Sequence, residues 1–284
     1  MKYYIYLLTF LSFFSSCTKN NDITENDIPL PAATILDTAY GTDPLQEMDI
    51  YLPAGRDEHT RTIVLVHGGS WAEGDKSELT PSIENLQELF PGYAIANINY
   101  RLAKNGQTNI FPTQEEDVKK AVETVTANAG NFHISRDLIL AGFSAGGHLV
   151  LLHGYKNDPE KHVKAIVDFF GPTDLTVLSD KGSVQALILF NATGKTYDQD
   201  AELFLQSSPV HFVTGNSPPT IILQGGADDL VPASQSAELD SKLEENNVAH
   251  ELVVYPEEGH GWGGITLADS FDKIKKFLAA NLPD

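Results

Sequence analysis

The sequence predicts an α/β fold: a mostly parallel, eight-stranded sheet flanked by helices, with one small lid insert. Three observations predict this class. Eight apolar runs of strand length occur along the chain, helical patterns lie between the later runs, and the middle runs are almost continuously apolar, as is typical of parallel strands covered on both faces. We find no internal repeat and no linker to a second domain in the 284 residues, a length that suits a single α/β domain.

The first residues are typical of an export signal. Lys2 precedes an apolar stretch over residues 3–14, which is shorter than a membrane-spanning helix requires, and two serines follow. Cys17, the only cysteine of the chain, resembles the lipidated cysteine of bacterial lipoproteins, except that Phe14 stands where that family has an aliphatic residue. The resemblance implies a signal peptide over 1–16 and an exported protein, lipid-anchored through this cysteine to a bacterial membrane and facing the periplasm or the surface. An ordinary cleaved signal with an incidental cysteine is the alternative.

The segment after the cysteine is polar, rich in Asn and Asp, and ends in prolines near residue 31, a composition typical of a flexible tether. We therefore expect residues 17–31 to form a lipidated tether and residues 32–284 to form the α/β domain.

The charge of the chain narrows the choice of partners. Lys and Arg number 19 and Asp and Glu number 39, which gives a formal net charge of −20. A nucleic-acid partner is not expected, since such proteins need a basic surface. For the same reason we do not expect basic residues to hold the protein on anionic lipid. Membrane attachment is therefore expected through the lipid anchor only.

The elements follow in order along the chain. The apolar runs that predict strands lie at 33–36, 48–52, 62–66, 94–98, 137–141, 164–170, 220–224 and 251–255. Between the fourth and fifth runs, Thr113 and Glu116 have the pattern of a capping box and Gly130 that of a stop signal, so we expect a helix between them. The last helix has its apolar face over 267–278, and the lid is expected between residues 170 and 220.

A lone serine surrounded by glycines follows the fifth run, in the sequence AGFSAGG. Gly142, Ser144 and Gly146 match the G-x-S-x-G elbow, in which a strained turn lifts a nucleophile above the carboxyl end of the sheet. The hydroxyl would then lie at a helix N-terminus, with the backbone N–H of Ala145 facing the place where negative charge develops. Alone, the pattern also suits a plain tight turn.

Three other strand ends carry what a serine nucleophile requires. The sequence VHGGSW follows the third run, and its glycines expose backbone N–H groups that can hold an oxyanion. Asp228 and Asp229 follow the seventh run, where a carboxylate can orient an imidazole. His260 follows the eighth run between two glycines. Each segment alone also suits an ordinary turn, but together the order Ser, Asp, His at strand ends indicates a catalytic triad.

From about residue 45 to 282 the chain resembles the α/β-hydrolase superfamily. Within it, the chain is similar to the bacterial carboxylesterases with an HGG-x-W loop, in particular the branch of acetyl-xylan and feruloyl esterases. The resemblance rests on the segments VHGGSW, INYRLA, FPTQEEDVKKAV, GFSAGGHL, SSPVHFV, PPTIILQGGADDLVPASQS and GHGW. The sequence QGGADD departs from the family, whose members commonly have HG before the acid loop.

The resemblance implies a role for each site residue. Ser144 would be the nucleophile, His260 the base and Asp228 the acid, the last because the family spacing is D-x-x-V-P. Asp229 would cap the turn that follows. The donors implied for the oxyanion are Gly69, Ser70 and Ala145. His67 and His148 are interpreted as structural.

The implied protein is a serine carboxylic-ester hydrolase that forms an acyl-enzyme and removes small acyl groups, acetyl or feruloyl-type, from carbohydrate. Neither a cofactor nor a metal is expected, since the chain has no H-E-x-x-H motif and its sole cysteine lies in the signal region. The alternatives are an arylformamidase or small-peptide hydrolase of the same fold, and a non-catalytic binding protein.

Overall fold

Eight strands form a single sheet in the computed structural model, which describes residues 29–282. They are β1 (Ala33–Ala39), β2 (Glu47–Leu52), β3 (Thr62–Val66), β4 (Ala94–Ile98), β5 (Leu138–Phe143), β6 (Val163–Phe169), β7 (Thr220–Gly225) and β8 (His250–Tyr255). Their order is β1-β2-β4-β3-β5-β6-β7-β8. The β1–β2 and β2–β4 pairs are antiparallel and all other pairs are parallel. The predicted α/β class and mostly parallel sheet are confirmed.

The burial of the strands follows their position in the sheet. Every residue of β3 and of β4 is buried, because helices cover both faces of the central strands. The edge strand β1 is largely exposed and pairs only with β2. Each predicted apolar run overlaps one strand, so hydrophobic patterning located the sheet.

Nine α-helices are formed by the described residues. They are α1 (Thr80–Leu89), α2 (Thr113–Ala127), α3 (Ala129–Phe132), α4 (Ala145–Lys156), α5 (Leu175–Leu178), α6 (Ser183–Thr193), α7 (Ala201–Gln206), α8 (Ser234–Glu245) and α9 (Gly264–Asn281). One core cluster joins the sheet to α2, α4 and α8, and a second joins it to α1 and α9. The sheet is therefore sandwiched between two helical layers.

The helix expected between Thr113 and Gly130 differs from the prediction at both ends. Thr113 is already the first residue of α2, so its side chain cannot fill the capping position, which Pro112 occupies. The Pro112 carbonyl accepts the N–H of Glu116 at 3.0 Å, and no side chain caps this end. The helix ends at Ala127, while Gly130 lies inside α3. The capping-box and stop-signal predictions are therefore wrong.

The lid insert lies between β6 and β7, as predicted. It comprises α5, α6 and α7 together with two short 3₁₀ turns, Tyr197–Gln199 and Pro209–Phe212. Among residues 29–282, no helix is both long and apolar enough to cross a bilayer. The predicted signal peptide, Cys17 and most of the predicted tether lie outside the described residues.

Candidate active site

The sharp turn after β5 holds Ser144 above the carboxyl end of the sheet. The backbone of Ser144 is in the left-handed region (φ 53°, ψ −119°), and α4 begins at the next residue. The N–H of Ser144 donates to the carbonyl of Phe169 at 2.8 Å, which fixes the turn against β6. A Cβ on Gly146 would lie 2.2 Å from the carbonyl oxygen of Val66, so only glycine lets α4 approach β3 so closely. The predicted elbow is present.

The three residues expected at strand ends form one hydrogen-bonded row. His260 Nε2 lies 2.8 Å from Ser144 Oγ, and His260 Nδ1 lies 2.8 Å from Asp228 Oδ2. The Asp228 side chain is fully buried, whereas the imidazole is 22% exposed. A carboxylate can only accept, so Nδ1 carries the proton and Nε2 can accept the serine hydroxyl proton. The arrangement can therefore convert the hydroxyl into a nucleophile.

Asp228 also holds its own loop. Its Oδ1 accepts the N–H groups of Leu230 and Val231, each at 2.9 Å, and Gln224 Nε2 lies 3.3 Å from its Oδ2. The side chain of Asp229 is exposed and makes no hydrogen bond with the described residues. The expectation that Asp229 caps the following turn is therefore wrong, because Asp228 itself accepts the N–H groups of that turn.

Two of the expected oxyanion donors, Ser70 and Ala145, line the same pocket as Ser144. Within residues 29–282, the backbone N–H groups of Gly69, Ser70 and Ala145 find no hydrogen-bond acceptor. Gly69 has φ 103°, and its carbonyl accepts the N–H groups of both Ala72 and Glu73, which closes a tight turn. Free N–H groups on a rigid turn and at a helix N-terminus are the donors that stabilise a developing oxyanion.

A small, mostly apolar pocket opens beside Ser144. Its lining comes from the turn at 69–71, called the oxyanion loop below, from the start of α4, from the lid, and from the loop at 228–231, called the acid loop. The lining residues are Ser70, Trp71, Ser144, Ala145, Pro172, Leu178, Gln185, Ile188, Leu230 and Val231. The lid residues Leu178 and Ile188 close it on one side. The sequence predicted where the lid lies but not which of its residues face the pocket. Because α6 is apolar on nearly every side, its sequence does not distinguish one face from another.

Two further side chains support the site. Phe170 has a left-handed backbone (φ 44°), and its ring packs edge-on against the imidazole of His260 with centroids 4.8 Å apart. Gln185 of α6 donates through Nε2 to the carbonyls of Asp229 and Leu230, at 2.9 and 3.3 Å, and thereby ties the lid to the acid loop. The sequence did not predict the contact of Phe170 with His260, because an aromatic residue at the end of a buried strand is normally interpreted as part of the core.

The two histidines interpreted as structural are buried. His67 Nδ1 lies 2.7 Å from the carbonyl oxygen of Gly68, and its ring stacks on Tyr100 with centroids 4.3 Å apart. His148 lies in the first turn of α4 and is completely buried. The ring nitrogens of neither histidine bond to the side chains of Ser144, His260 or Asp228. Residues 29–282 contain no group of three or more His, Cys, Asp or Glu side chains placed to hold a metal ion.

Comparison with known proteins identifies the family. The BD-FAE family matches residues 48–243, more than half of the chain, so the chain belongs to this family. It is 30% identical to "Esterase LipC" of Mycobacterium tuberculosis, over 78% of this chain and 58% of that protein. It is 32% identical to "Probable carboxylic ester hydrolase LipM" of the same organism, over 68% of this chain and 46% of that protein. The chain thus spans about half the length of these relatives.

Solved structures match almost the whole described chain. The "Bifunctional GH43-CE" of Bacteroides eggerthii is 26% identical with a TM-score of 0.76, over 87% of this chain and 35% of that one. A "Truncated form of carbohydrate esterase from gut microbiota" is 24% identical with a TM-score of 0.74, over 88% of this chain and 96% of that one. The fold is that of the α/β hydrolases.

Proposed function

We propose that the protein is a serine carboxylic-ester hydrolase that acts through an acyl-enzyme. The observation that carries the proposal is the hydrogen-bonded row of Ser144, His260 and Asp228, with both bonds at 2.8 Å. The membership in BD-FAE and the relatives named as esterases support it. The names of those relatives describe those proteins, and the activity of this chain is our inference.

The geometry implies the following steps. His260 Nε2 takes the proton of Ser144, whose Oγ attacks the ester carbonyl carbon. The carbonyl oxygen becomes an oxyanion and accepts N–H groups from Ala145 and the Gly69–Ser70 turn; one such donor contributes about 3–4 kcal/mol. The imidazolium, oriented by Asp228, then protonates the departing alkoxide as the C–O bond breaks. A water molecule, deprotonated by the same imidazole, then attacks the acyl carbon. The bond from this carbon to Ser144 Oγ breaks, the imidazolium returns its proton to Oγ, and the acid is released.

The pocket and the structural neighbours support a proposal for the substrate class. The pocket beside Ser144 is small and lined mainly by apolar side chains, which suits a short acyl group better than a fatty acyl chain. We infer that the acyl group is acetyl or feruloyl-type and that the alcohol is a carbohydrate. The structural neighbours named as carbohydrate esterases support this inference.

A substrate panel tests the proposal. We expect the highest kcat/KM at four acyl carbons or fewer across p-nitrophenyl esters from acetate to palmitate, together with release of acid from acetylated or feruloylated oligosaccharides. Ser144→Ala is the matched control and should lose at least about 10⁴-fold in kcat. A maximum at eight carbons or longer, with no action on the sugar esters, would contradict the substrate class. Faster cleavage of an N-formyl aromatic amine or a peptide anilide would favour the formamidase or peptidase alternatives.

We further propose that the protein is exported and held at a bacterial membrane by a lipid on Cys17. The sequence alone supports this proposal, through the sole cysteine after an apolar signal stretch. A surface position would suit an enzyme that acts on polysaccharide.

A further inference from the structure

A buried histidine joins three parts of the active site through hydrogen bonds. Trp71 Nε1, in the oxyanion loop, lies 3.2 Å from His148 Nδ1, in the nucleophile's helix. His148 Nε2 lies 2.7 Å from the carbonyl oxygen of Ser207, which follows α7 of the lid insert. The backbone N–H of His148 donates to the carbonyl of Ser144 at 3.0 Å, so the ring stands one helical turn from the nucleophile.

The partners fix the proton on the imidazole. An indole N–H can only donate, so His148 Nδ1 presents its lone pair to Trp71. A backbone carbonyl can only accept, so Nε2 carries the proton toward Ser207. Burial lowers the pKa of His148 to about 4, which keeps the ring neutral and this single tautomer in place at neutral pH.

The indole that His148 holds belongs to a strained segment. Ser70 and Trp71 have φ of 52° and 60°, a region that residues other than glycine rarely adopt. Such a backbone persists only where its surroundings hold it. Trp71 is buried, its carbonyl accepts the N–H of Ala103 at 2.9 Å, and its ring stands edge-on to His148 with centroids 5.1 Å apart. The side-chain hydrogen bond of the indole goes to His148.

We propose that His148 is a positioning residue of the esterase reaction: through Trp71 it holds the Ser70–Trp71 backbone in the conformation that presents oxyanion donors to Ser144. This inference rests on the proposed function. It assigns a role to a histidine that touches neither substrate nor the reacting atoms. His148 is thus structural, as the sequence indicated, and the backbone conformation that it stabilises is the one that the transition state requires.

The same helix supplies a matched control. His153 is buried like His148, and burial lowers its pKa to about 4 as well. Both of its ring nitrogens lack a hydrogen-bond partner in the described part of the chain. His153→Leu therefore removes a buried imidazole from α4 without touching Trp71, whereas His148→Leu removes the acceptor of the indole.

The experiment compares kcat, KM and the inhibition constant of an alkyl trifluoromethyl ketone, whose adduct with the serine carries an oxyanion. We expect His148→Leu and Trp71→Phe each to lower kcat about 10- to 100-fold, within the loss caused by removing one oxyanion donor, and to weaken the ketone similarly. KM for p-nitrophenyl acetate should stay within about threefold, because the ester ground state makes little use of these donors. His148→Asn, which offers an amide oxygen near Nδ1, should recover part of the loss.

The double variant separates a shared role from two independent ones. If the two side chains act through one hydrogen bond, His148→Leu with Trp71→Phe loses little more kcat than the worse single variant. Additive losses, or a kcat for His148→Leu equal to that of His153→Leu, would overturn the inference while the esterase remains active. A wild-type protein that neither hydrolyses the ester nor binds the ketone would overturn the proposed function itself. Trp71→Phe tests the same hydrogen bond if His148→Leu does not fold.

Discussion

The two oxygens of the Asp228 carboxylate have separate partners. Oδ2 lies against His260, while Oδ1 holds the N–H groups of Leu230 and Val231. One buried side chain thus orients the imidazole of His260 and also shapes the loop on which Asp228 itself lies. Asp229, the next residue, is exposed and does neither.

We expect Asp228→Asn to lower kcat by about 10⁴-fold, because an amide cannot hold the imidazole in the required tautomer or stabilise its charged form. Asp229→Asn should keep kcat within about twofold and change the free energy of unfolding by less than about 0.5 kcal/mol, as is usual for an exposed residue. Steady-state kinetics and urea unfolding of both purified variants check this. Equal losses of kcat in the two variants would contradict the assignment of the acid.

His153 makes stability depend on pH. Burial lowers its pKa from 6.5 to about 4 in the folded protein, so between these values the unfolded chain takes up a proton that the folded chain does not. Its contribution to stability is complete above pH 6.5 and is lost as the pH falls toward 4. On lowering the pH from 7.5 to 5, we expect the wild-type protein to lose about 1–2 kcal/mol more unfolding free energy than His153→Leu. Urea titrations of both proteins at the two pH values measure this difference, and parallel losses would contradict it.

The sequence predicted the positions of the strands more accurately than the ends of the helices. The run TIVLV over 62–66 predicted β3 to the residue, since every one of its side chains is buried. Helix ends were predicted less well: Thr113 has the chemistry of a cap, but Pro112 occupies the capping position. A cap depends on where the chain turns, and tertiary contacts decide this.

The same contrast holds for the site. The serine elbow, the acid and the base each follow a strand, so local pattern and chain order located them. The contacts of Phe170 with His260 and of Trp71 with His148 join segments far apart in the chain, and no local pattern encodes them.

The lid helices set the depth of the acyl cavity. Ile188 of α6 and Leu178 of α5 line it. We expect Ile188→Ala to shift the best p-nitrophenyl ester toward longer acyl chains, by about two to four carbons, because the deletion removes side-chain volume from the wall. The ratio of kcat/KM for hexanoate to that for acetate measures the shift. Leu187→Ala is the matched control, since Leu187 lies on the same helix but is 68% exposed, and an equal shift there would contradict the assignment.

At the scale of the whole molecule, the order of the strands assembles the site. Ser144 follows β5, Asp228 follows β7 and His260 follows β8, and all these strands are parallel, so their carboxyl ends meet at one edge of the sheet. The lid insert between β6 and β7 lies over that same edge. Every group of the proposed reaction therefore comes from a connection that follows a strand.

The proposed anchor is tested on the full chain. We expect Cys17→Ser to move the protein from the membrane fraction to the soluble fraction of the cells, because the residue that would carry the lipid is lost. The measurement is the share of the protein in each fraction, by immunoblot. Cys17→Ala serves as a second variant, and an unchanged distribution in both would show that lipidation at this position is wrong.

The partial exposure of His260 has a consequence for the second half of the proposed reaction. The imidazole that must deprotonate the incoming nucleophile can be reached from bulk solvent, since 22% of its side chain is exposed. Any hydroxyl compound that is abundant in the medium can then compete with water for the same base. If the proposed acyl-enzyme forms, we expect methanol or a sugar at high concentration to take the acyl group in place of water, so that ester synthesis and ester cleavage are two directions of one exchange.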